Sequence, residues 1–257
     1  MCVSFAVKKK MNKFFTKIKE LQEKNNTKLC IGLDFDFRNK NWKEIEKLIY
    51  DTCYQTEDLV CAYKINIAFF SGIQYINDIL KNFMLSNINI PIICDGKYGD
   101  IEHVAKRYAY TCFEYFGFDA VTVNPYMGSD VIKSFSEYKD KGIFVLAKTT
   151  NPSADEIQKF DNDDCYVVAN KVIDIVSDIN KNNNLGLVYS TDIFDDDYFS
   201  YDTYGLPILF PGIGTQGENL QKALKYKGLK VISVSRDIIN TENIKERAKY
   251  YQGLTCG

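Results

Sequence analysis

The sequence predicts a (β/α)8 barrel, one domain over residues 1–257 with an N-terminal helix outside the repeat. Three observations predict it. Short apolar runs recur eight times, with room for a helix between most of them. Most of these runs lack strict apolar–polar alternation, as expected of parallel strands buried on both faces. No Pro/Gly-rich linker, residue-level repeat or long low-complexity segment divides the chain. A doubly wound open sheet is the alternative architecture.

Residues 11–24 allow an amphipathic helix, and KLCIGLD (28–34) reads as the first strand. A helix over 43–57 leads to LVCAYKIN (59–66), and one over 74–86 to IPIICDGK (90–97). The clearest helix is IEHVAKRYAYTCFEYF (101–116). Its Ile101, Val104, Ala105, Tyr108, Ala109, Cys112, Phe113 and Phe116 fall on one face. FDAVTVN (118–124), a helix over 128–138 and GIFVLAKT (142–149) follow. Next come a helix over 165–182 and LGLVYS (185–190). The acidic run DIFDDDYFSYD (192–202) reads as a solvated loop or helix start, without the glycine and terminal glutamate of a calcium loop. LPILFPG (206–212), a helix over 217–226, LKVISVSR (229–236) and a helix over 241–252 complete the pattern.

Composition narrows the function classes. Apolar residues make up 46% and charged residues 26%, which suits a soluble chain with a sizeable core. A net charge of −2 gives no global field for a nucleic-acid backbone, and Lys8, Lys9 and Lys10 read as a solvated terminus. No apolar stretch has the roughly 18–20 residues of a membrane span. The apolar run before the lysines is in the wrong order for a secretory signal. The eight cysteines form no CxxC pair; Cys30, Cys61 and Cys94 sit in strand-like runs and read as buried free thiols in a reducing, cytoplasmic setting. With His103 the single histidine, a Cys/His zinc cluster is not expected.

In a barrel of this kind function sits at the C-terminal ends of the strands. There the sequence places Asp34 and Asp36, then Lys64 and Asn66, then Asp95, Lys97 and Asp100. Asn124 follows, then Lys148, Thr149, Thr150 and Asn151, and finally PGIGTQG (211–217) and Arg236. Singly each has a plain reading: Asp100 as a helix cap, Asp36 and Asn151 as turn residues, Lys148 as solvated. Together they converge on one mouth. The glycines of PGIGTQG let backbone N–H groups approach an anion before a helix N-terminus, and Gln216 and Arg236 add donors, so this side suits a phosphate monoester. Asp95 and Lys97, two residues apart on an extended strand, share one face, whereas Asp100 lies past the turn and can point elsewhere.

These residues resemble the orotidine 5'-monophosphate decarboxylase family from about Leu29 to Arg236. DGKYGDI fits that family's DxKxxD signature, and GLD, the second-strand lysine, KTTNP, PGIGTQG and SRDII also match. DxKxxD alone is shared with sugar-phosphate members of the superfamily; the whole set is specific. The resemblance implies a (β/α)8 homodimer that converts orotidine monophosphate to UMP without metal or organic cofactor. It implies a charged tetrad of Lys64, Asp95, Lys97 and Asp100, with Lys97 the proton donor and Asp100 serving the partner's site. It implies substrate contacts by Asp34 and Asn66 to ribose, by Thr149 and Thr150 to the pyrimidine, and by Gln216 and Arg236 to phosphate. Ile101, Pro211, Gly217 and Ser235, within the matching motifs, complete the implied binding set. The chain departs from the family at Phe35, where proline is common after GLD, and at Val104, where relatives often carry a hydroxyl. It departs also at Glu218 and Ser235, where glycine is common.

Three rival readings remain open on the residues alone. A sugar-phosphate aldolase or decarboxylase of the superfamily would use Mg2+ and would not need KTTNP. A silent phosphate-ligand subunit would not need the Lys/Asp set. Asp34 and Asp36 could form a DxD metal site.

Overall fold

The computed structural model describes residues 11–38, 40–72, 75–86, 88–159, 167–191, 203–214 and 217–256. Its strands are β1 (Leu29–Gly32), β2 (Ala62–Asn66), β3 (Ile92–Tyr98), β4 (Ala120–Val123), β5 (Gly142–Leu146), β6 (Leu185–Val188), β7 (Ile208–Phe210) and β8 (Lys230–Val234). Each falls in the expected apolar run, β3 passing its end by one residue. They pair in sequence order, all parallel, and β8 returns to β1 through Leu29↔Ile232, Cys30↔Ser233 and Ile31↔Val234. That last pairing closes the barrel and rules out the open sheet. β1, β4, β6 and β7 are buried throughout, which is why these runs carry no alternation.

Helix α1 (Lys13–Lys24) precedes the repeat, as expected. Asn12 caps it by accepting the Phe15 N–H, and Phe14, Phe15, Ile18 and Leu21 form its buried stripe. Phe14 and Phe15 pack edge-on against Phe144, while Gln22 donates to the Lys230 carbonyl at the start of β8. The helix therefore closes the N-terminal end of the barrel and leaves the other end open.

The outer layer holds α2 (Trp42–Thr56), α3 (Ile76–Met84), α4 (Glu102–Tyr110), α5 (Ser129–Ser136), α6 (Asp155–Gln158), α7 (Val167–Ile179), α8 (Gly217–Lys225), α9 (Arg236–Ile239) and α10 (Ile244–Thr255). Asn41 and Glu44 form a capping box on α2. The helix expected over 101–116 is α4 followed by a π-helical turn at Thr111–Phe116. Ala105, Ala109, Cys112 and Phe113 are buried as the periodicity requires, but Ile101 is 53% and Tyr108 37% exposed. Ile101 stands before the first turn of α4, and Tyr108 stacks its ring on Tyr98 at 4.7 Å while the rest of the side chain stays in solvent.

Cys30, Cys53, Cys61, Cys94 and Cys112 are buried free thiols, and Cys256 is exposed. Among the described residues no helix is long and apolar enough to cross a membrane. The Lys8–Lys10 run and the acidic run 192–202 lie outside the described residues.

Candidate active site

Register places the charges. Gly32 pairs with Lys64, and Lys64 with Ile93. Asp34 lies two residues beyond Gly32 and Asp95 two beyond Ile93, so the strand period aims all three at the barrel mouth. Lys64 and Asp95 are each 7% exposed. Lys64 Nζ donates to Asp95 Oδ2 at 2.8 Å and lies 3.7 Å from Asp34 Oδ1. Lys97 Nζ donates to Asp95 Oδ1 at 2.7 Å. One carboxylate thus holds two ammonium groups.

The electrostatics follow from that contact. Burial pushes the Asp95 carboxyl up, but Lys64 and Lys97 outweigh it and hold the group at about 2. Burial pushes Lys64 down, and Asp95 and Asp34 more than reverse this, so its pKa lies above the ordinary value. The side chain of Lys64 is 9% exposed and that of Lys97 45%. Lys97 is therefore the ammonium a ligand in the mouth can reach.

The extended-strand account of Lys97 needs correction. Its φ is +47°, in the left-handed region, and the β3–β4 register shifts between Cys94 and Tyr98. The lysine reaches Asp95 through this bulge rather than by strand alternation. Gly96 is required here, because a Cβ would lie 2.2 Å from the Tyr98 ring, which folds back over it. The Lys97 N–H is taken up by Thr122 Oγ1 on β4, at 2.9 Å, and the same hydroxyl donates to Asp95 Oδ1 at 2.8 Å. Sequence reasoning missed Thr122, since a β-branched residue in AVTV reads as a strand former; its signal was a lone hydroxyl in a buried run.

Asp100 does not cap α4. Ile101 holds the cap position without a side-chain bond, and Asp100 Oδ1 accepts the Ile101 N–H at 2.7 Å. Among the described residues Asp100 forms no ion pair within the chain. Asn66 pairs in register with Asp95 and uses its Oδ1 to accept the Ala68 N–H. Asp36, the other half of the DxD idea, is exposed and bound to Arg38, so the two carboxylates face different cations.

The segment after β5 is latched. Lys148, read as solvated from sequence, is 4% exposed and donates to Asp155 Oδ1 at 2.6 Å. Thr149 accepts from Gln158 Nε2 and donates to Asn151 Oδ1, so its hydroxyl serves the loop itself. Thr150 faces the glycine turn after β7: a Cβ on Gly212 would lie 3.3 Å from its Cγ2. Gly212 also has φ +71°, which favours glycine there.

At the ends of β7 and β8, Pro211 is half-buried beside Gly212, and α8 begins at Gly217. Gln216 lies outside the described residues. Arg236 is exposed at the start of α9. Ser235 meets β1 closely, because a Cβ on Gly32 would lie 3.1 Å from Ser235 Oγ and 3.0 Å from Asp34 Oδ2. Ser235 Oγ and Asp34 Oδ1 are buried without a hydrogen-bond partner. A brace unseen in the sequence supports this side: the Tyr251 hydroxyl on α10 shares its one proton between Asp237 and the Gly214 carbonyl, the latter at 3.1 Å, and Arg247 binds Asp237 at 2.6 Å.

The orotidine 5'-phosphate decarboxylase / HUMPS family matches this chain over residues 27–251. The chain belongs to that family. An orotidine 5'-phosphate decarboxylase of Herpetosiphon aurantiacus is 33% identical over 237 residues, covering 88% of this chain and 89% of the relative. One from Cellvibrio japonicus is 34% identical over 251 residues, covering 90% of each. The structure of Leishmania donovani OMP decarboxylase superposes with a TM-score of 0.78 at 29% identity, covering 93% of this chain and 95% of that one. Leishmania donovani UMP synthase gives a TM-score of 0.81 at 30% identity; the match takes in 95% of this chain but 56% of the synthase. The family and barrel expected from the sequence agree with these relatives, and the enzyme class agrees with their names, that of a carboxy-lyase.

Proposed function

We propose that the chain decarboxylates orotidine 5'-monophosphate to UMP without metal or organic cofactor, using Lys64, Asp95, Lys97 and Asp100 as its charge network. The observation that carries this reading is the buried Asp95 carboxylate holding Lys64 and Lys97 at 2.8 and 2.7 Å in the barrel mouth. Family membership supports the substrate.

The chemistry suits the residues. When the C6–carboxylate bond breaks, CO2 leaves and the electron pair stays on C6, in the plane of the ring, where no π system accepts it. An ammonium beside C6 stabilises that charge and then gives it a proton. At about 4 Å and an effective dielectric of about 20, one unit pair interacts by about 4 kcal/mol. That amounts to nearly a thousandfold in rate where the contact strengthens only in the transition state. Lys97, the more exposed of the two lysines, takes the donor role, and solvent reprotonates it after release of UMP. Asp95 keeps both lysines charged and aimed.

The binding roles follow the same reading. Asp34 Oδ1 and Ser235 Oγ, buried in the mouth without a hydrogen bond, suit a ligand rich in hydroxyl groups. Asn66, Thr149, Thr150 and Ile101 border the base and ribose. Pro211, Gln216, Gly217 and Arg236 form the phosphate grip. The active unit is a homodimer in which Asp100 completes the partner's site. Support comes from Asp100 having no ion pair among the described residues of its own chain and from exposed Ile101, Tyr126 and Met127 near it. Residues 1–257 act as one barrel domain in the cytoplasm.

The test is loss of absorbance as purified protein converts orotidine monophosphate to UMP, run with and without a chelator. Turnover is expected in both. No turnover, or turnover that chelator removes and Mg2+ restores, overturns the reading.

A further inference from the structure

We propose that Thr122 is a positioning residue for the reaction, setting the Lys97 backbone and the Asp95 carboxylate through one hydroxyl. This inference rests on the charge-network reading above.

Thr122 is 1% exposed. It sits one step past the Cys94↔Val121 pair, where β4 lies beside the end of β3. Hydrogen-bond directions at its hydroxyl are forced. The Asp95 carboxylate can only accept, so Thr122 donates to Oδ1 at 2.8 Å. The Lys97 N–H can only donate, so Thr122 accepts it at 2.9 Å. One proton and two lone pairs serve both at once. A valine of the same shape serves neither.

The consequence lies in the circuit these bonds close. Asp95 Oδ1 also accepts Lys97 Nζ at 2.7 Å. The path runs from Thr122 to Asp95, from Asp95 to the tip of Lys97, and down its side chain to the backbone N–H that returns to Thr122. Both ends of the Lys97 side chain are therefore tied to one fixed point. Without that tie, a long side chain 45% exposed would sample many rotamers. The left-handed backbone at Lys97, φ +47°, is disfavoured for a residue with a Cβ, and the bond from Thr122 helps to hold it. Placing an ammonium within a few tenths of an ångström of a reacting carbon depends on such restraint.

The rival view is that Thr122 is only a β-branched strand residue. Two substitutions separate the views. Thr122→Val keeps the shape and loses the hydroxyl; Thr122→Ser does the reverse. Losing a hydrogen bond to a charged group lowers kcat by roughly ten- to hundredfold in Thr122→Val. KM stays within about threefold, because the loss acts on the transition state. The acid limb of the kcat–pH profile moves to higher pH in Thr122→Val, since Asp95 loses a donor to its charged form. Thr122→Ser recovers most of the rate and restores the acid limb. Thr122→Ala, which also lacks the hydroxyl, supplies the same readouts if the valine variant does not fold, with UMP binding and circular dichroism as checks. Wild-type turnover in Thr122→Val overturns the proposal. So does a fall in melting temperature shared by Val and Ser with the acid limb unmoved. Lys97→Ala is assayed alongside. An active Lys97→Ala overturns the network reading itself; an inactive one beside a fully active Thr122→Val overturns this inference alone.

Discussion

Replacing Asp95 by asparagine tests the centre of the network. The side chain keeps its shape and loses its charge. At 2.8 and 2.7 Å and an effective dielectric of about 20, each Lys–Asp95 pair interacts by about 6 kcal/mol before desolvation. Burying the charges returns most of that, and Lys97 is half in solvent, so the useful figure is the loss on breaking a buried pair, about 3–5 kcal/mol. Lys64 would retain Asp34 Oδ1 at 3.7 Å, which points to the low end, about 3 kcal/mol. For a chain of this size that lowers the melting temperature by about 6–12 °C. An amide also offers one oxygen where the carboxylate offers two, so one lysine loses its acceptor.

The pH dependence gives a second, signed readout. Asp95 has a folded value of about 2 against an ordinary 3.8. A depressed carboxyl contributes stability that is full above its unfolded value and lost as pH falls through the folded one. The window is therefore pH 4 down to 2, and the amount is about 2 kcal/mol. Asp95→Asn lacks this contribution, so its deficit narrows as pH falls through that window. At high pH the sign reverses for Lys64. In the wild type its raised value keeps its contribution in place until pH passes the ordinary lysine range. In Asp95→Asn burial dominates and lowers it, so the deficit also shrinks toward about pH 10 as Lys64 sheds its proton. Thermal unfolding followed by circular dichroism across pH, with the absorbance assay at pH 7, makes the measurement. A melting temperature unchanged at pH 7, with turnover retained, refutes the reasoning.

Other expectations concern single groups. Lys97→Ala abolishes turnover and leaves UMP binding measurable by calorimetry; near-normal turnover sinks the donor assignment. Mixed Lys97→Ala and Asp100→Ala subunits regain activity through one intact hybrid site, about a quarter of all sites on equal random mixing; no recovery despite demonstrated subunit exchange counts against the shared site. Tyr251→Phe frees the Gly214 carbonyl from α10 and raises KM for the substrate by roughly two- to tenfold with kcat little changed. Equal KM would detach that brace from phosphate binding.

The strands were legible because a barrel buries both faces of each and ends each in polar residues. β1 stops at Gly32 just before Asp34, and β2 and β3 carry their charges in their last turns of chain. What escaped depends on contacts between elements. Ile101 and Tyr108 follow the helical period, but no neighbouring element covers either of them fully. Lys148 looked solvated because its partner, Asp155, stands on the short helix α6, which the sequence pattern did not reveal. Tyr251, Asp237 and Arg247 meet only once α9 and α10 pack together. No local pattern in any of these segments encodes the partner.

Lys97 is the instructive case, since its direction was right and its cause was not. On an extended strand, side chains two residues apart stand parallel with their roots about 6.6–6.8 Å apart. Two lysines and an aspartate on such a face would share similar burial. The left-handed turn at Lys97 breaks that equivalence. It lets Nζ curl back onto Asp95 while the side chain stays 45% exposed, against 9% for Lys64. One carboxylate thereby serves a buried cation, which fixes its own charge and place, and an accessible cation, which can meet a ligand. That asymmetry is what a proton donor requires, and it arises from a backbone bulge stabilised by a hydroxyl on the neighbouring strand.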